Sequence, residues 1–179
     1  MTDTKPYILD SSKIAKITSE LLEKRGVTKL AIAELVHFLQ KEYFPGLKTE
    51  DCLVHVDAVL SKREVQNAVL TGIQLDILAE ERKLLPGLQE MIEHDESLYG
   101  CDEILALSIV NVYGSIGFTN FGYVDKLKPG ILVHLNDKKD KDIHTFLDDI
   151  VGAIAASAAS RMAHRRQAEI EGVTTPPLD

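Results

Sequence analysis

Two long uncharged stretches, each introduced by a pair of acidic residues, constrain this sequence more than any other feature. A stretch of 21 residues without charge follows Asp102-Glu103, and another of 11 follows Asp148-Asp149. Ionised carboxylates at the ends of apolar helices cost little free energy only where cations, hydrogen-bond donors or water lie close by. The pattern therefore predicts two apolar helices whose acidic ends take part in a charged site.

A polar joint, residues 124–130, separates the two uncharged stretches. It holds a fifth carboxylate, Asp125, together with Lys126 and Lys128, and it continues into Pro129-Gly130. Hard oxygen ligands of this kind suit Mg²⁺, which usually keeps several waters and shares a substrate phosphate. The sequence thus suggests a magnesium site with phosphate-binding lysines nearby.

Helical periodicity runs through most of the chain, and no segment alternates with period two for long enough to predict a strand. Predicted helices cover residues 11–25, 29–43, 49–60, 61–83 and 88–93, then a segment from about 101, and a last helix from about 148 to 171. The 104–124 stretch is apolar on nearly all sides, which predicts a buried central helix. We expect an all-α fold: one domain over residues 1–179, a bundle of six to eight helices with a buried central helix and a frayed tail at 172–179.

Two sequence patterns predict capping boxes at helix starts. Ser61-Lys-Arg-Glu64 would open the helix that runs to residue 83, and Thr145-Phe-Leu-Asp148 would open the last helix. In each, the hydroxyl and the carboxylate would satisfy backbone amides of the first turn.

The composition and charge of the chain limit the classes of partner that it can bind. A net charge of −8 argues against nucleic-acid binding and against broad binding to anionic membranes. The 104–124 stretch is long enough to span a bilayer, but its three glycines and five polar residues favour a core helix. No membrane span is therefore expected, and peripheral membrane contact is left open.

Two isolated cysteines and a polar N-terminus favour a cytoplasmic protein. Spare packing faces on the 61–83 helix and the small-residue last helix predict a homo-oligomer.

Three segments, 94–104, 121–129 and 147–152, resemble the phosphatidylglycerophosphatase A family in order and approximate spacing. The matching positions are Asp95, Asp102, Glu103, Asp125, Lys128, Pro129, Asp148 and Asp149. Along nearly its whole length the chain is similar to the shorter, soluble branch of that family in Gram-positive bacteria. The resemblance implies Mg²⁺-dependent removal of the terminal phosphate from phosphatidylglycerophosphate or a related phosphomonoester.

Specific roles follow for most of the matching residues and for Lys126, which lies between two of them in the sequence. The metal ligands would be Asp102, Glu103, Asp148 and Asp149. Asp125 would complete the site or position an attacking water, with Asp149 as its partner in catalysis, and Asp95 would lie in the outer layer of the site. Lys126 and Lys128 would neutralise the substrate phosphate.

Two other functions stay open at this point. Helical bundles with Mg²⁺-binding carboxylates also hydrolyse nucleotide pyrophosphates, although no feature here marks a base pocket. A non-catalytic helical binding or regulatory module is favoured by two departures from the family pattern: Gly122 replaces an arginine, and the Gly-rich GTxGS segment that opens the membrane-bound members is missing. A further departure is Ala106, which replaces a glycine.

Overall fold

The computed structural model describes residues 10–137 and 142–173, and these residues form helices without any strand. Seven helices have ten residues or more, and α5 and α8 are shorter. In chain order they are α1 (Ser11–Lys24), α2 (Lys29–Gln40), α3 (Thr49–Leu60), α4 (Arg63–Glu80), α5 (Leu88–Glu93), α6 (Cys101–Val110), α7 (Gly114–Leu127), α8 (Ile131–Leu135) and α9 (Leu147–Glu171). The predicted all-α bundle is confirmed, with helix ends within a few residues of those expected. Most of the 136–142 loop and of the 172–179 tail lies outside the described residues.

The centre of the bundle is α9. Every residue from Leu147 to Met162 is buried, and α2, α3, α4, α6 and α7 pack around this helix. Its small side chains allow that crowding: a Cβ atom built on Gly152 would already lie 3.6 Å from Phe121 and from Val124. A buried central helix is therefore present, but it is the last helix and not the 104–124 segment to which the sequence analysis assigned that place.

The 104–124 segment is instead a helical hairpin that lies along α9. A turn of 3₁₀-helix (Asn111–Tyr113) separates α6 from α7, which begins at Gly114 with a φ of 73°. The turn is held to the far part of α9 by a hydrogen bond from Ser160 Oγ to the Tyr113 carbonyl oxygen, 2.8 Å long. The stretch Cys101–Leu127 has the length and composition of a membrane span, and 33% of its most apolar window is buried. Each helix of the hairpin thus keeps one face on α9 and exposes the other.

Both predicted capping boxes are wrong. The Ser61 hydroxyl donates to the Ala58 carbonyl oxygen at 2.7 Å, and α4 begins two residues later without a side-chain cap. The Thr145 hydroxyl donates to the Ile92 carbonyl oxygen at 2.6 Å. In both cases the hydroxyl is oriented towards a carbonyl oxygen of an earlier helix. The residues at the N-cap positions are Lys62 for α4 and Phe146 for α9, and neither caps its helix with a side-chain hydrogen bond.

Gly72 lets α4 approach the first turns of α9. A Cβ atom at this position would lie 2.3 Å from Ile150 Cδ1 and 2.9 Å from Phe146 Cβ. We expect Gly72→Ala to lower the free energy of unfolding by about 1–3 kcal/mol, because overpacking forces neighbouring atoms to shift. Urea unfolding measures this, with Thr71→Ala on the exposed side of the same helix as the control. Equal stability of the two variants would contradict the close packing.

Candidate metal centre

Three of the four predicted metal ligands come together at one end of α9. Asp102 and Glu103 lie in the first turn of α6, and Asp149 lies in the first turn of α9. Each offers a carboxylate oxygen, and the three oxygens lie within 4.8 Å of one another. Asp102 and Asp149 are buried, with 5% and 6% of their surface exposed, whereas Glu103 is exposed. The cluster is therefore buried on one side and open to solvent on the other.

The two acid pairs are built alike. Asp102 Oδ1 accepts a hydrogen bond from the amide of Glu103 at 3.1 Å. Asp148 Oδ1 accepts one from the amide of Asp149 at 2.9 Å. Both pairs also lie at helix N-termini, where the helix dipole stabilises negative charge. In each pair the first acid thus keeps one oxygen on the backbone and presents the other to the site.

Lys128 is the cation of this site. It ends α7 in the left-handed conformation, with φ of 45°. Its Nζ lies 2.7 Å from Asp125 Oδ1, 2.7 Å from Asp148 Oδ2 and 3.4 Å from Asp149 Oδ1. The ammonium group therefore joins α7 to the first turn of α9. Asp148 faces this ammonium group, and the three-carboxylate cluster forms on the Asp149 side.

The cluster holds more negative charge than one ammonium group balances. Burial raises the pKa of Asp149 to about 8, and the charge of Asp148 adds to the effect. Burial also raises the pKa of Asp102 to about 7, with a further contribution from Glu103. Burial opposes the charge of Lys128, but the surrounding carboxylates, led by Asp148, raise its pKa above the ordinary value. Such a site binds protons near neutrality, and a divalent cation would take their place.

The oxygen donors present fit Mg²⁺. Two buried carboxylates and an exposed one, close together at the edge of the protein, leave room for the waters that this ion retains. No histidine or cysteine belongs to this group, which disfavours zinc. Within the described residues, this is the group of acidic side chains with the spacing of metal ligands.

Two predicted site residues lie further out. Asp95 is exposed in the loop after α5 and lines a cavity of about 110 Å³ next to Asp148. Its charge contributes to the raised pKa of Asp148, which burial causes in the first place. Lys126 is exposed, and among the ion pairs of residues 10–137 and 142–173 it makes none with the cluster. The predicted roles of these two residues remain predictions.

Asp76 is the site-forming residue that the sequence analysis missed. This α4 residue is fully buried, and its Oδ1 and Oδ2 accept hydrogen bonds from the amides of Phe146 and Leu147, both 3.1 Å long. It thereby caps α9 from another helix, one turn before Asp149. The available signal was a carboxylate within the apolar face of α4, three residues after the buried Ile73.

The segment that enters α9 has a second anchor. Arg25 Nη2 donates to Glu80 Oε1 and to the carbonyl oxygen of Ile143, both at 2.6 Å. The amide of Ile143 donates back to Glu80 Oε1 at 2.8 Å. Together with Asp76, this ion pair fixes the chain just before the acidic turn of α9.

Asp76→Asn should destabilise the protein, because it weakens the hydrogen bonds that hold the start of α9. Asparagine has one acceptor oxygen, so one amide of the α9 start would face an NH₂ group. We expect a loss of about 1.5–3 kcal/mol in the free energy of unfolding. Asp57→Asn is the matched control, because Asp57 forms an exposed ion pair with Lys29, worth about 0–1 kcal/mol. Urea unfolding of both variants measures the difference, and equal losses would contradict the capping role.

A family model described as phosphatidylglycerophosphatase A matches residues 21–164, which include the whole cluster. Among curated relatives, the uncharacterized protein YutG of Bacillus subtilis (strain 168) is 65% identical over 144 residues, covering 80% of this chain and 87% of YutG. The uncharacterized protein YpjQ of the same organism is 55% identical over 156 residues, covering 87% of this chain and 88% of YpjQ.

Solved structures agree with the fold. The low temperature requirement C protein from Listeria monocytogenes superposes with a TM-score of 0.86 at 61% identity, covering 88% of this chain and 99% of that one. A protein of unknown function from Bacillus stearothermophilus superposes with a TM-score of 0.83 at 64% identity, covering 84% of this chain and 94% of that one.

Proposed function

The chain belongs to the phosphatidylglycerophosphatase A family, and from that membership we propose that it is a Mg²⁺-dependent phosphatase. Its first candidate substrate is phosphatidylglycerophosphate, from which it would remove the terminal phosphate. A related phosphomonoester is the alternative within the same chemistry. The observation that carries the proposal is the meeting of the Asp102, Glu103 and Asp149 carboxylates beside the Lys128 ammonium group.

Asp102, Glu103 and Asp149 would hold the metal. Their oxygens already lie close together, and the raised pKa values of Asp102 and Asp149 mark a place where added positive charge is favourable. Asp148 would join them through its oxygen near Lys128 or through water. Mg²⁺, when bound, supplies charge neutralisation at a phosphoryl oxygen and a water of raised acidity.

The chain's own residues supply the remaining functions. Lys128 would orient Asp125 and Asp148 and place positive charge beside the incoming phosphate. Asp125 has 38% of its side chain exposed and would accept a proton from water at its free oxygen. Lys126 would attract the phosphate from solvent. Gly122, where the family pattern has arginine, is exposed on α7 and leaves this charge contribution to the lysines.

The site lies at the protein surface, and this position supports a substrate that is larger than free phosphate. Glu103 is the exposed member of the cluster, and Ile104, next to Glu103, has 67% of its surface exposed. A headgroup phosphate could thus reach the carboxylates while its acyl chains stay outside the protein. We propose that the protein works in the cytoplasm and meets the lipid by peripheral contact.

Phosphate release over a substrate panel tests the proposal. Phosphatidylglycerophosphate in mixed micelles, simple phosphomonoesters and nucleoside triphosphates would each be assayed with Mg²⁺ and with EDTA. The proposal predicts Mg²⁺-dependent orthophosphate release, fastest from the lipid. Pyrophosphate release from nucleotides would support a nucleotide pyrophosphohydrolase instead. Inactivity over the whole panel, by protein shown to be folded, would favour a non-catalytic module.

A further inference from the structure

A cavity of about 470 Å³ lies between the end of α2, the first half of α7 and the last part of α9. Its volume falls within the range of about 300–1,000 Å³ that is typical of small-molecule sites. Arg166 follows Asp149 by 17 residues on α9, so the cavity lies roughly 25 Å from the metal centre at a rise of about 1.5 Å per residue. We call it the far cavity; its lining includes Gln40, Phe44, Ile116, Asn120 and Arg166.

Two carboxamides that lack hydrogen-bond partners line the far cavity. Gln40 of α2 has 4% of its surface exposed, and within residues 10–137 and 142–173 its side chain makes no hydrogen bond. Nδ2 of Asn120 on α7 is buried and has no partner in the described part of the chain. A buried amide without a hydrogen bond costs free energy and is rare in native proteins. A ligand that both donates and accepts hydrogen bonds would satisfy these two groups.

Aromatic rings form another part of the wall. Tyr43 has 77% of its surface exposed, so its ring is available to a ligand, and Phe44 beside it is half-buried. Rings and carboxamides are the groups with which proteins recognise nucleobases, because a ring stacks on the base while Asn or Gln pairs with its edge. The composition of the wall therefore suits a flat, hydrogen-bonding ring system.

The far end of α9 concentrates positive charge. Three of the six arginines stand at positions 161, 165 and 166, although the chain has a net charge of −8. Arg165 and Arg166 line a neighbouring cavity of about 250 Å³, which shares Phe44 with the far cavity. Burial, and then the charges of Arg161 and Arg165, lower the pKa of His55 in this neighbouring cavity to about 4. Added negative charge is therefore favourable here, and arginine binds phosphate oxygens through paired N–H donors.

We propose that the far cavity binds a nucleoside phosphate, with the base between the carboxamides and the aromatic rings and the phosphate at Arg166. Arg166 is accessible for this contact: its ion pair with Glu169 is 3.6 Å long, and 60% of its side chain is exposed. The nucleotide is bound and not hydrolysed, since the three-carboxylate cluster lies at the other end of α9. Binding therefore requires neither Mg²⁺ nor the proposed phosphatase activity.

Isothermal titration with AMP, GMP, CMP and UMP in the presence of EDTA tests the proposal. EDTA keeps Mg²⁺ away, so that no phosphate binds through the metal centre. At least one nucleotide should bind saturably at up to about 1 mM ligand, with one site per chain. The matching nucleoside, which has no phosphate, should bind roughly tenfold to a hundredfold more weakly. Absence of saturable binding would overturn the proposal, and so would equally tight binding of inorganic phosphate or glycerol 3-phosphate.

Arg166→Gln should weaken nucleotide binding by roughly tenfold to a hundredfold, because it removes a charged hydrogen bond. Lys16→Gln is the matched control and should bind as the wild type: Lys16 is also an exposed cation, 3.7 Å from Glu20 on its own helix. Equal binding by these two variants would contradict the phosphate contact.

Gln40→Met separates a ligand contact from a structural role. Methionine has a similar size and no amide, so this variant should lose nucleotide affinity by roughly tenfold or more. Its melting temperature without ligand should equal or exceed that of the wild type, because a buried amide without a partner is removed. Unchanged affinity in the folded variant, or a melting temperature well below that of the wild type, would overturn the place of Gln40 in the site.

Discussion

Asp149→Asn is expected to remove most of the phosphatase activity while leaving the metal-free protein at least as stable as the wild type. Asp149 is one of the three clustered carboxylates, and burial together with Asp148 raises its pKa to about 8. Its ionised form is therefore unfavourable in the folded, metal-free protein. Mutation of a residue that only hydrogen-bonds to a metal ligand typically lowers activity by roughly 10–100-fold. Loss of the ligand itself should therefore lower activity by more than about 100-fold.

The pH dependence of stability has a definite sign. Asp149 titrates at 3.8 in the unfolded chain and at about 8 in the folded one, so the folded state binds more protons between these values. The metal-free wild type therefore loses stability as the pH rises from about 4 to 8. The gain from Asp149→Asn should grow over the same range, to about 1–3 kcal/mol at pH 8.

Thermal melts with and without Mg²⁺ measure both effects. The wild type should melt at a higher temperature with Mg²⁺, because a ligand of the native state stabilises it, and the variant should respond much less. If the acid pairs only cap helices, Asp149→Asn should instead lose about 0.3–1 kcal/mol of dipole stabilisation. A variant that melts below the wild type, with no Mg²⁺ response in either protein, would contradict the metal site.

Lys128→Ala should have the second-largest effect, on stability as well as on activity. Its ammonium group contacts three carboxylates, and the side chain is only 24% exposed. Removal leaves these acids without their cation, and breaking a buried ion pair costs about 3–5 kcal/mol. Because this site is partly exposed, we expect about 2–4 kcal/mol at pH 8. The loss should shrink towards pH 5, where the carboxyl groups bind protons.

Lys128→Ala should also lower kcat/KM by roughly tenfold to a hundredfold, because a hydrogen bond to a charged group contributes about 1.5–3 kcal/mol. Lys126→Ala is the matched control, since Lys126 is two residues away and exposed; its stability should change by less than about 0.5 kcal/mol. Urea unfolding at pH 5 and pH 8 compares the stabilities of the two variants, and phosphate release compares the activity of Lys128→Ala with that of the wild type. Equal losses of stability in the two variants would contradict the bridging role of Lys128.

The sequence predicted the helices and the position of both acid pairs at helix starts, because both depend on local patterns. Periodic apolar residues mark helices, and acids next to uncharged stretches mark buried helix starts. The identity of the central helix could not be read in this way. Hydrophobicity favoured the 104–124 stretch, but the crowded centre requires the small volume of residues such as Gly152 and Ala156 in α9.

Contacts between distant segments were the part that the sequence could not predict. Asp76 caps a helix that begins 71 residues later, and no local pattern specifies that pairing. The same holds for Thr145: its hydroxyl, predicted to accept from an amide of α9, donates to the carbonyl oxygen of Ile92 in α5. Lys128 was placed near the site from its neighbours in sequence, but its bond to Asp148 depends on how α7 packs against α9.

Isothermal titration of Mg²⁺ into the metal-free protein tests the central claim most directly. The account predicts saturable binding at pH 8 with proton release to the buffer, since a cation displaces protons from Asp102 and Asp149. Binding should weaken at pH 6 and be lost in Asp149→Asn, while Asp57→Asn behaves as the wild type. Absence of saturable binding to the wild type at pH 8, or equal binding by Asp149→Asn, would contradict the account.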